Sequence, residues 1–499
     1  MAVPSASPAS TPSATGAATA GPPPHRAAPP PTAPHVPASG GSGPGAPAAP
    51  GETVPRARPG RRSAATAAQS AAVPGAASSP PAGPAGPDAA PAGPGPAQAP
   101  PARRTARAGR PSGPAPDVRP GGGPDAPRCD PRPRLTELRL SAFARHRGAR
   151  FPLGPVTLFT GPSGSGKSAA LAAYEALARL GGGASVQEVF PDPVALVPER
   201  ARPDAQHRRG FRIGCTADGA EGPVRLDVAV QAEPDLRIVG ERLTAGGLVL
   251  LETALRDPGR RSVQAAWHTA GSSPVTRAPL PDDRLGTALL PLRVAGKTDG
   301  QRRVLAAAEQ MVVALRSVFA CDPRPDAMRA PVRTGSGRLL RGCDNLADVL
   351  WRTRAECGRR HGLLVDAVRT GCAGPVADLL AEPLGDGTVR ALLDRGDGHR
   401  SELAGLGDGE LRYLALALVL FTGPGVLEVD APGEVPDAMR SLTVLADGFD
   451  RCLDPRQRAE LLGTAVLMGE RGHIRLVGAV SDADLAAEAG TITVVHLDA

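Results

Sequence analysis

Lysine is nearly absent from this chain: 499 residues contain only Lys167 and Lys297, and arginine carries the remaining positive charge. Cysteine is sparse. Its seven copies stand singly at 129, 215, 321, 343, 357, 372 and 452, and none forms a CxxC pair. With nine isolated histidines, that spacing excludes a zinc-binding module, and an odd number of scattered thiols suits a reducing, cytoplasmic setting. Long apolar runs are missing too. The longest clean one, Leu414 to Phe421, is far short of the roughly 20 residues of a membrane span. No internal repeat and no sustained heptad array occur, so neither a solenoid nor a coiled-coil arm is expected.

Another absence divides the chain. Residues 1–130 contain no Leu, Ile, Phe, Tyr or Trp and are dominated by Ala, Pro and Gly. Such a segment has almost nothing to bury against the entropy cost of ordering, so 1–132 is expected to be a disordered tail. It lacks the continuous apolar core of a secretory signal. It also explains the charge. Eleven Arg against five acids fall within 1–130, whereas the whole chain carries +7, so the part from 131 onward is nearly neutral. The high pI therefore belongs to the tail, and the folded part gives no support to a nucleic-acid partner. The clusters Arg56-Arg58-Arg61-Arg62 and Arg103-Arg104-Arg107-Arg110 could touch nucleic acid or anionic lipid, but they read first as charges that keep the tail solvated.

What is present begins at the first lysine. Gly161-Pro162-Ser163-Gly164-Ser165-Gly166-Lys167-Ser168 fits the GxxxxGK[ST] template. The short apolar run Val156–Thr160 before it predicts a buried strand, and the Ala/Leu-rich Ala169–Leu180 after it predicts a helix. Strand, glycine turn, helix is the setting in which backbone N–H groups and a helix N-terminus face a phosphate. A slim ammonium reaches β- and γ-phosphates inside such a loop, where a broad guanidinium fits poorly. Ser168 supplies the hydroxyl that a magnesium ion takes.

Strands are expected at 135–143, 151–153, 208–215, 224–231, 236–243, 248–254 and 262–269, with helices over 302–319, 346–368 and 374–380 and a strand over 388–393. Leu406-Gly407-Asp408-Gly409-Glu410 then opens an apolar helix, Leu411–Leu420. Thr443–Asp447 is an apolar strand ending in a carboxylate. Leu453-Asp454-Pro455 leads into a helix to about Met468, and strands follow at 474–480 and 491–495.

Taken in that order, these motifs resemble the ABC-type ATPase fold in its SMC/RecF branch, whose simpler members are called AAA family ATPases. The resemblance covers roughly 133–185 and 400–499, with 186–399 as an inserted strand-and-helix region. It implies an α/β P-loop NTPase with a mixed sheet, ATP and Mg²⁺ as ligands, and a homodimer closed through bound ATP, with a protein partner of unspecified kind. It makes Asp447 the metal-binding carboxylate of the strand end. The rival is Asp430, which closes the strand-like run Val426–Asp430. It makes Gly407, Asp408 and Gly409 the turn that faces the nucleotide of the opposite protomer.

The departures matter as much. Gly407 stands where the family has Ser, and Asp408 where it has Gly. The residue after Asp447 is Gly448 instead of the Glu that polarises water. Asp450 is the candidate catalytic substitute. Ser481, next to Asp482, replaces a His. Gln187 is a candidate for the Gln that senses the metal. Positioning and charge stabilisation carry most of phosphoryl transfer, so these losses imply binding with slow or partner-dependent hydrolysis. Two functions stay open: an ATP-driven switch and a nucleotide-gated scaffold without catalysis. A small-molecule kinase is disfavoured, because no acceptor site or Arg-rich lid is evident.

Overall fold

Alternating and continuous apolarity sort the strands into two kinds. The computed structural model describes residues 132–270, 274–423, 426–429, 441–481 and 491–498, and the expected tail lies outside them except for Arg132. β1 (Arg134–Phe143) and β2 (His146–Pro152) form a hairpin, and β3 (Val156–Thr160) is the strand before the P-loop. β4 (Arg209–Asp218), β5 (Val224–Glu233), β6 (Arg237–Ala245), β7 (Leu248–Ala254), β8 (Ser262–His268) and β9 (Val275–Pro281) are a meander. β10 (Val318–Cys321) follows. Then come β11 (Val332–Arg333), β12 (Asp378–Pro383), β13 (Thr388–Gly396) and β14 (His399–Glu402), and finally β15 (Leu442–Ala446), β16 (Ile474–Ala479) and β17 (Thr493–His496).

The alternating strands make an eight-stranded antiparallel sheet in the order β2-β1-β4-β5-β6-β7-β8-β9. On β4, Phe211, Ile213, Cys215 and Ala217 point into the core while Arg212 faces out, as expected for a sheet wet on one side. The continuously apolar strands make a five-stranded sheet, β10-β15-β16-β3-β17, in which every pairing is parallel. β3, β15 and β16 are buried at every residue, as interior strands covered on both faces must be. The expected α/β fold is therefore present, with its parallel and antiparallel strands in separate sheets. A small third sheet holds β11, β13 and β12, with β14 paired to β13.

The helices are α1 (Lys167–Gly181), α2 (Val186–Val189), α3 (Gly286–Leu289), α4 (Asp299–Arg316), α5 (Pro325–Met328), α6 (Leu346–Glu356), α7 (Gly358–Gly371), α8 (Asp408–Leu420) and α9 (Pro455–Glu470). α4 packs on the inner face of the antiparallel sheet and against α1. α8 is buried all round from Leu411 to Leu420, which explains why its apolar pattern shows no polar face.

Three sequence expectations change. The helix over 302–319 stops at Arg316. Ser317 leaves helical geometry, and Val318–Cys321 pairs with β15 as an edge strand. β10 thus joins the P-loop sheet from within 186–399. The helix over 346–368 breaks at Cys357, whose φ of −147° separates α6 from α7. The segment 374–380 is not helical. Gly374 takes φ +74°, Pro375 follows, and Asp378–Pro383 pairs with β13.

α7 and α8 approach closely because Gly371 has no side chain: a Cβ there would stand 2.0 Å from Tyr413 Cε1. Burial pushes the Tyr413 phenol well above its usual pKa, so it stays a neutral donor, and its hydroxyl donates to Ala367 O at 3.0 Å. Gly371→Ala is expected to destabilise the protein by about 1–3 kcal/mol through overpacking. A chemical denaturation midpoint equal to wild type would show that the contact relaxes freely.

Candidate functional site

The carboxyl ends of the parallel strands form the edge at which the P-loop opens. Gly161, Gly164 and Gly166 take φ values of 144°, 82° and 101°, a region that side-chain-bearing residues rarely enter. These angles turn the chain from β3 into the first turn of α1. Gly161 also needs its missing Cβ, which would lie 2.2 Å from Leu497 O. Lys167 folds its Nζ back over the loop and donates to Gly161 O at 2.6 Å and Pro162 O at 3.1 Å. Pro162 and Ser163 are exposed, as is Ser168, whose hydroxyl makes no hydrogen bond among the described residues. Ser165 Oγ is buried without a hydrogen-bond partner there, as is Thr160 Oγ1. Buried hydroxyls left over in this way have hydrogen-bonding capacity to offer a ligand at the loop.

The β1–β2 hairpin supports this loop from outside. Arg145 donates to Gly164 O, and His146 Nε2 lies 3.0 Å from Gly166 O, with its ring 5.4 Å from that of Phe151. Phe151 in turn meets Phe159 of β3 edge-on at 5.2 Å, an arrangement favourable for aromatic pairs. The strand expected at 151–153 extends back to His146, with Arg145 in the turn before it. The alternation that would have revealed it is weak because Arg147 and Arg150 are solvent-facing.

Asp447 follows β15 directly. Ala446 is in register with Gly478 of β16, and Ala479 with Phe159 of β3, so Asp447 and Thr160 close the same edge with β16 between them. Two strand spacings separate them, about 10 Å. Asp447 is half-buried, and its carboxylate has no ion-pair partner among the described residues. The rival Asp430 lies outside the described residues. Of its run, Leu427 bridges to Leu339 and not to the parallel sheet. Asp322, which follows Cys321 of β10, stands beside Asp447 on the same edge, because Cys321 is in register with Ala446.

Asp450 is buried, and its Oδ2 accepts the Ser481 backbone N–H at 2.8 Å. This bond, with Phe449 N–H to Ala479 O at 2.9 Å, ties the loop after β15 to the end of β16. Ser481 is thus brought to the edge by its backbone, and Asp482 lies outside the described residues. Gln187 is a correction. It sits on α2, beyond the far end of the 15-residue α1, about 22 Å of helix away from the P-loop. There its amide reaches Leu236 O at 3.5 Å.

The Gly-Asp-Gly turn opens α8 as expected, with Gly407 at the N-cap. Glu410 accepts the Gly407 N–H at 3.1 Å, one half of a capping box. Gly409 lies against Cys452 O, where a Cβ would come within 2.3 Å. The charge of Asp408 is met by Arg329, 2.6 Å away, which also donates to Leu406 O at 3.1 Å. Arg412 links this turn to the edge. It is 3% exposed and donates to Pro323 O at 2.7 Å, Gly448 O at 3.0 Å and Arg451 O at 3.1 Å. A single arginine inside the apolar run 411–420 was the signal available in the sequence.

Among the described residues no group of three or more His, Cys, Asp or Glu forms a metal cluster, and no helix is long and apolar enough to cross a membrane. A site of one hydroxyl and one carboxylate still fits magnesium, which keeps several waters and shares phosphate ligands.

No protein-family model matches the chain, and no curated protein matches it. Solved structures do. The chain is similar to an Smc head bound to the C-terminal winged-helix domain of ScpA, at 12% identity and a TM-score of 0.41, over 71% of this chain and 92% of that one. It is similar to the SMC head domain from Thermotoga maritima at 12% identity and a TM-score of 0.35, over 72% and 94%. It is also similar to a Pyrococcus furiosus Smc head with an extended coiled coil bound to the C-terminal domain of ScpA, at 13% identity and a TM-score of 0.36, over 72% and 92%.

Proposed function

We propose that this protein binds ATP with magnesium at the P-loop and works as a nucleotide-driven switch, with slow or partner-dependent hydrolysis. The supporting observation is the conformation of 161–168: three left-handed glycines, a lysine folded over the loop and a buried, orphaned Ser165 hydroxyl at the mouth of a parallel sheet. Amides of the loop and Lys167 would take the β- and γ-phosphates. Ser168 and Asp447 would hold Mg²⁺, which neutralises phosphate charge and orients the chain of phosphates. The Gly407–Gly409 turn would face the nucleotide of a second protomer, with Arg329 offsetting the Asp408 charge.

Slow hydrolysis follows from what the site lacks. Gly448 offers no carboxylate. Asp450, put forward as its catalytic replacement, spends one oxygen on Ser481, a bond that suits holding two strand ends together more than activating water. A turnover on the order of 10 s⁻¹, ordinary for enzymes, would sink this reading. The second reading, a scaffold without catalysis, is favoured by the same bond. Single-turnover assays on Lys167→Ala and Asp450→Ala separate the two, since a switch needs measurable nucleotide loss that depends on the site. Light scattering with ATP, with and without DNA, tests the closed dimer.

The metal assignment has its own test. Asp447→Asn should weaken ATP binding about tenfold in magnesium and leave it unchanged in EDTA, a cost of about 1.4 kcal/mol. Asp430→Asn should leave binding unchanged in both conditions. Titration of both variants decides between the two carboxylates.

A further inference from the structure

We propose that Arg451 is the residue by which this site distinguishes a nucleoside triphosphate from a diphosphate. The inference deepens the nucleotide-binding reading above and rests on it.

The starting point is the residue after Asp447. Gly448 takes φ +61°, a left-handed conformation that disfavours any side chain. The space a side chain would enter is already filled. A Cβ on Gly448 would lie 2.9 Å from both Nε and Nη2 of Arg451, and 3.1 Å from its Cζ. A guanidinium therefore lies against the backbone where the resembled ATPases carry a carboxylate. The left-handed backbone accounts for the glycine, and the Arg451 side chain occupies the room it leaves.

The guanidinium is also presented rather than stored. Arg451 is exposed and forms no ion pair among the described residues, whereas Arg329 and Arg412 do. Its backbone is held firmly. Arg451 N–H donates to Gly448 O at 3.0 Å, and Arg451 O accepts from the buried Arg412 at 3.1 Å. The turn is thus braced from α8 and extends a cation without an ion pair among the described residues at the edge that Asp447 closes.

Chemistry identifies what such a cation reads. A guanidinium stays charged at any physiological pH and matches pairs of phosphate oxygens with two parallel donors. It cannot serve as a base, so it adds nothing to water activation. The P-loop and Asp447 close strands about 10 Å apart. A magnesium triphosphate held by both the P-loop and Asp447 would bring its last phosphate toward the Asp447 side of the edge, within reach of Arg451. A diphosphate held by the P-loop lacks that phosphate. Arg451 should then strengthen ATP binding selectively.

The test uses the full chain and titrates Mg-ATP and Mg-ADP by calorimetry. Wild type should prefer ATP. Arg451→Gln should lose on the order of tenfold of that preference, through weaker ATP binding with ADP binding unchanged. Arg451→Lys should recover part of it, and melting temperatures of both should match wild type, because the side chain is exposed. Equal losses for both nucleotides, or no change for either, overturn the proposal while leaving nucleotide binding standing. If wild type binds neither nucleotide, the underlying reading fails and takes this inference with it.

Discussion

Lys167→Ala is expected to lower ATP affinity by about 100-fold or more, with little change in folding. Two charge-assisted hydrogen bonds to phosphate oxygens at about 1.5 kcal/mol each account for that loss. In the structure Nζ satisfies itself on Gly161 O and Pro162 O, a part-exposed arrangement at the loop surface. Removing it returns two carbonyls to water, which costs little. Binding and stability are thereby separable, and calorimetry paired with a thermal melt reads both. Retained affinity in a well-folded variant would mean that the loop is a structural turn. Lys167→Arg sharpens the result: the planar fork carries the same charge, yet it should not fit between the glycines and should bind almost as poorly as alanine.

The second large effect belongs to stability. Arg412→Met should cost about 3 kcal/mol or more, because three carbonyls from two loops lose their donor at a site only 3% exposed. The effect should show as a lower denaturation midpoint. It should also loosen the turn after Asp447, so ATP affinity falls in parallel with the stability loss. Arg412→Lys gathers its three N–H donors on one nitrogen where the guanidinium uses three separate nitrogens, and should rescue only a fraction. A Met variant as stable as wild type would show that water replaces the guanidinium at no cost, and the link between α8 and the strand edge would lose its physical basis.

Much of this architecture was legible because local chemistry and tertiary role coincide. Val156–Thr160 is apolar without interruption, and it is buried without interruption between two parallel neighbours. The P-loop carries its three glycines where the backbone turns left-handed. The alternation of β4 and β5 reports the two faces of their sheet. Legibility failed where a long-range partner decides the outcome. Val318–Cys321 continues a helical pattern, and only pairing with β15 converts it into strand. Arg145 and His146 gain their role from a hairpin folding onto glycines 20 residues away, and spacing along the chain says nothing of that. Asp450 illustrates a subtler limit. Its place near the strand end was readable, but the bond to Ser481 that occupies it comes from β16.

The strand that launches the P-loop has an unusual pair of neighbours. β3 lies at 156–160, yet it is flanked by β16 at 474–479 and β17 at 493–496, and the loop's first glycine rests on Leu497. A chain emerging from the ribosome makes the phosphate turn first and leaves it without these neighbours until residues 474–497 follow, since contacts between distant segments form late. The ability to hold nucleotide should therefore be acquired abruptly, once the strands at 474–479 and 493–496 slot in on either side of β3, and a chain cut short before 474 should not be stabilised by ATP.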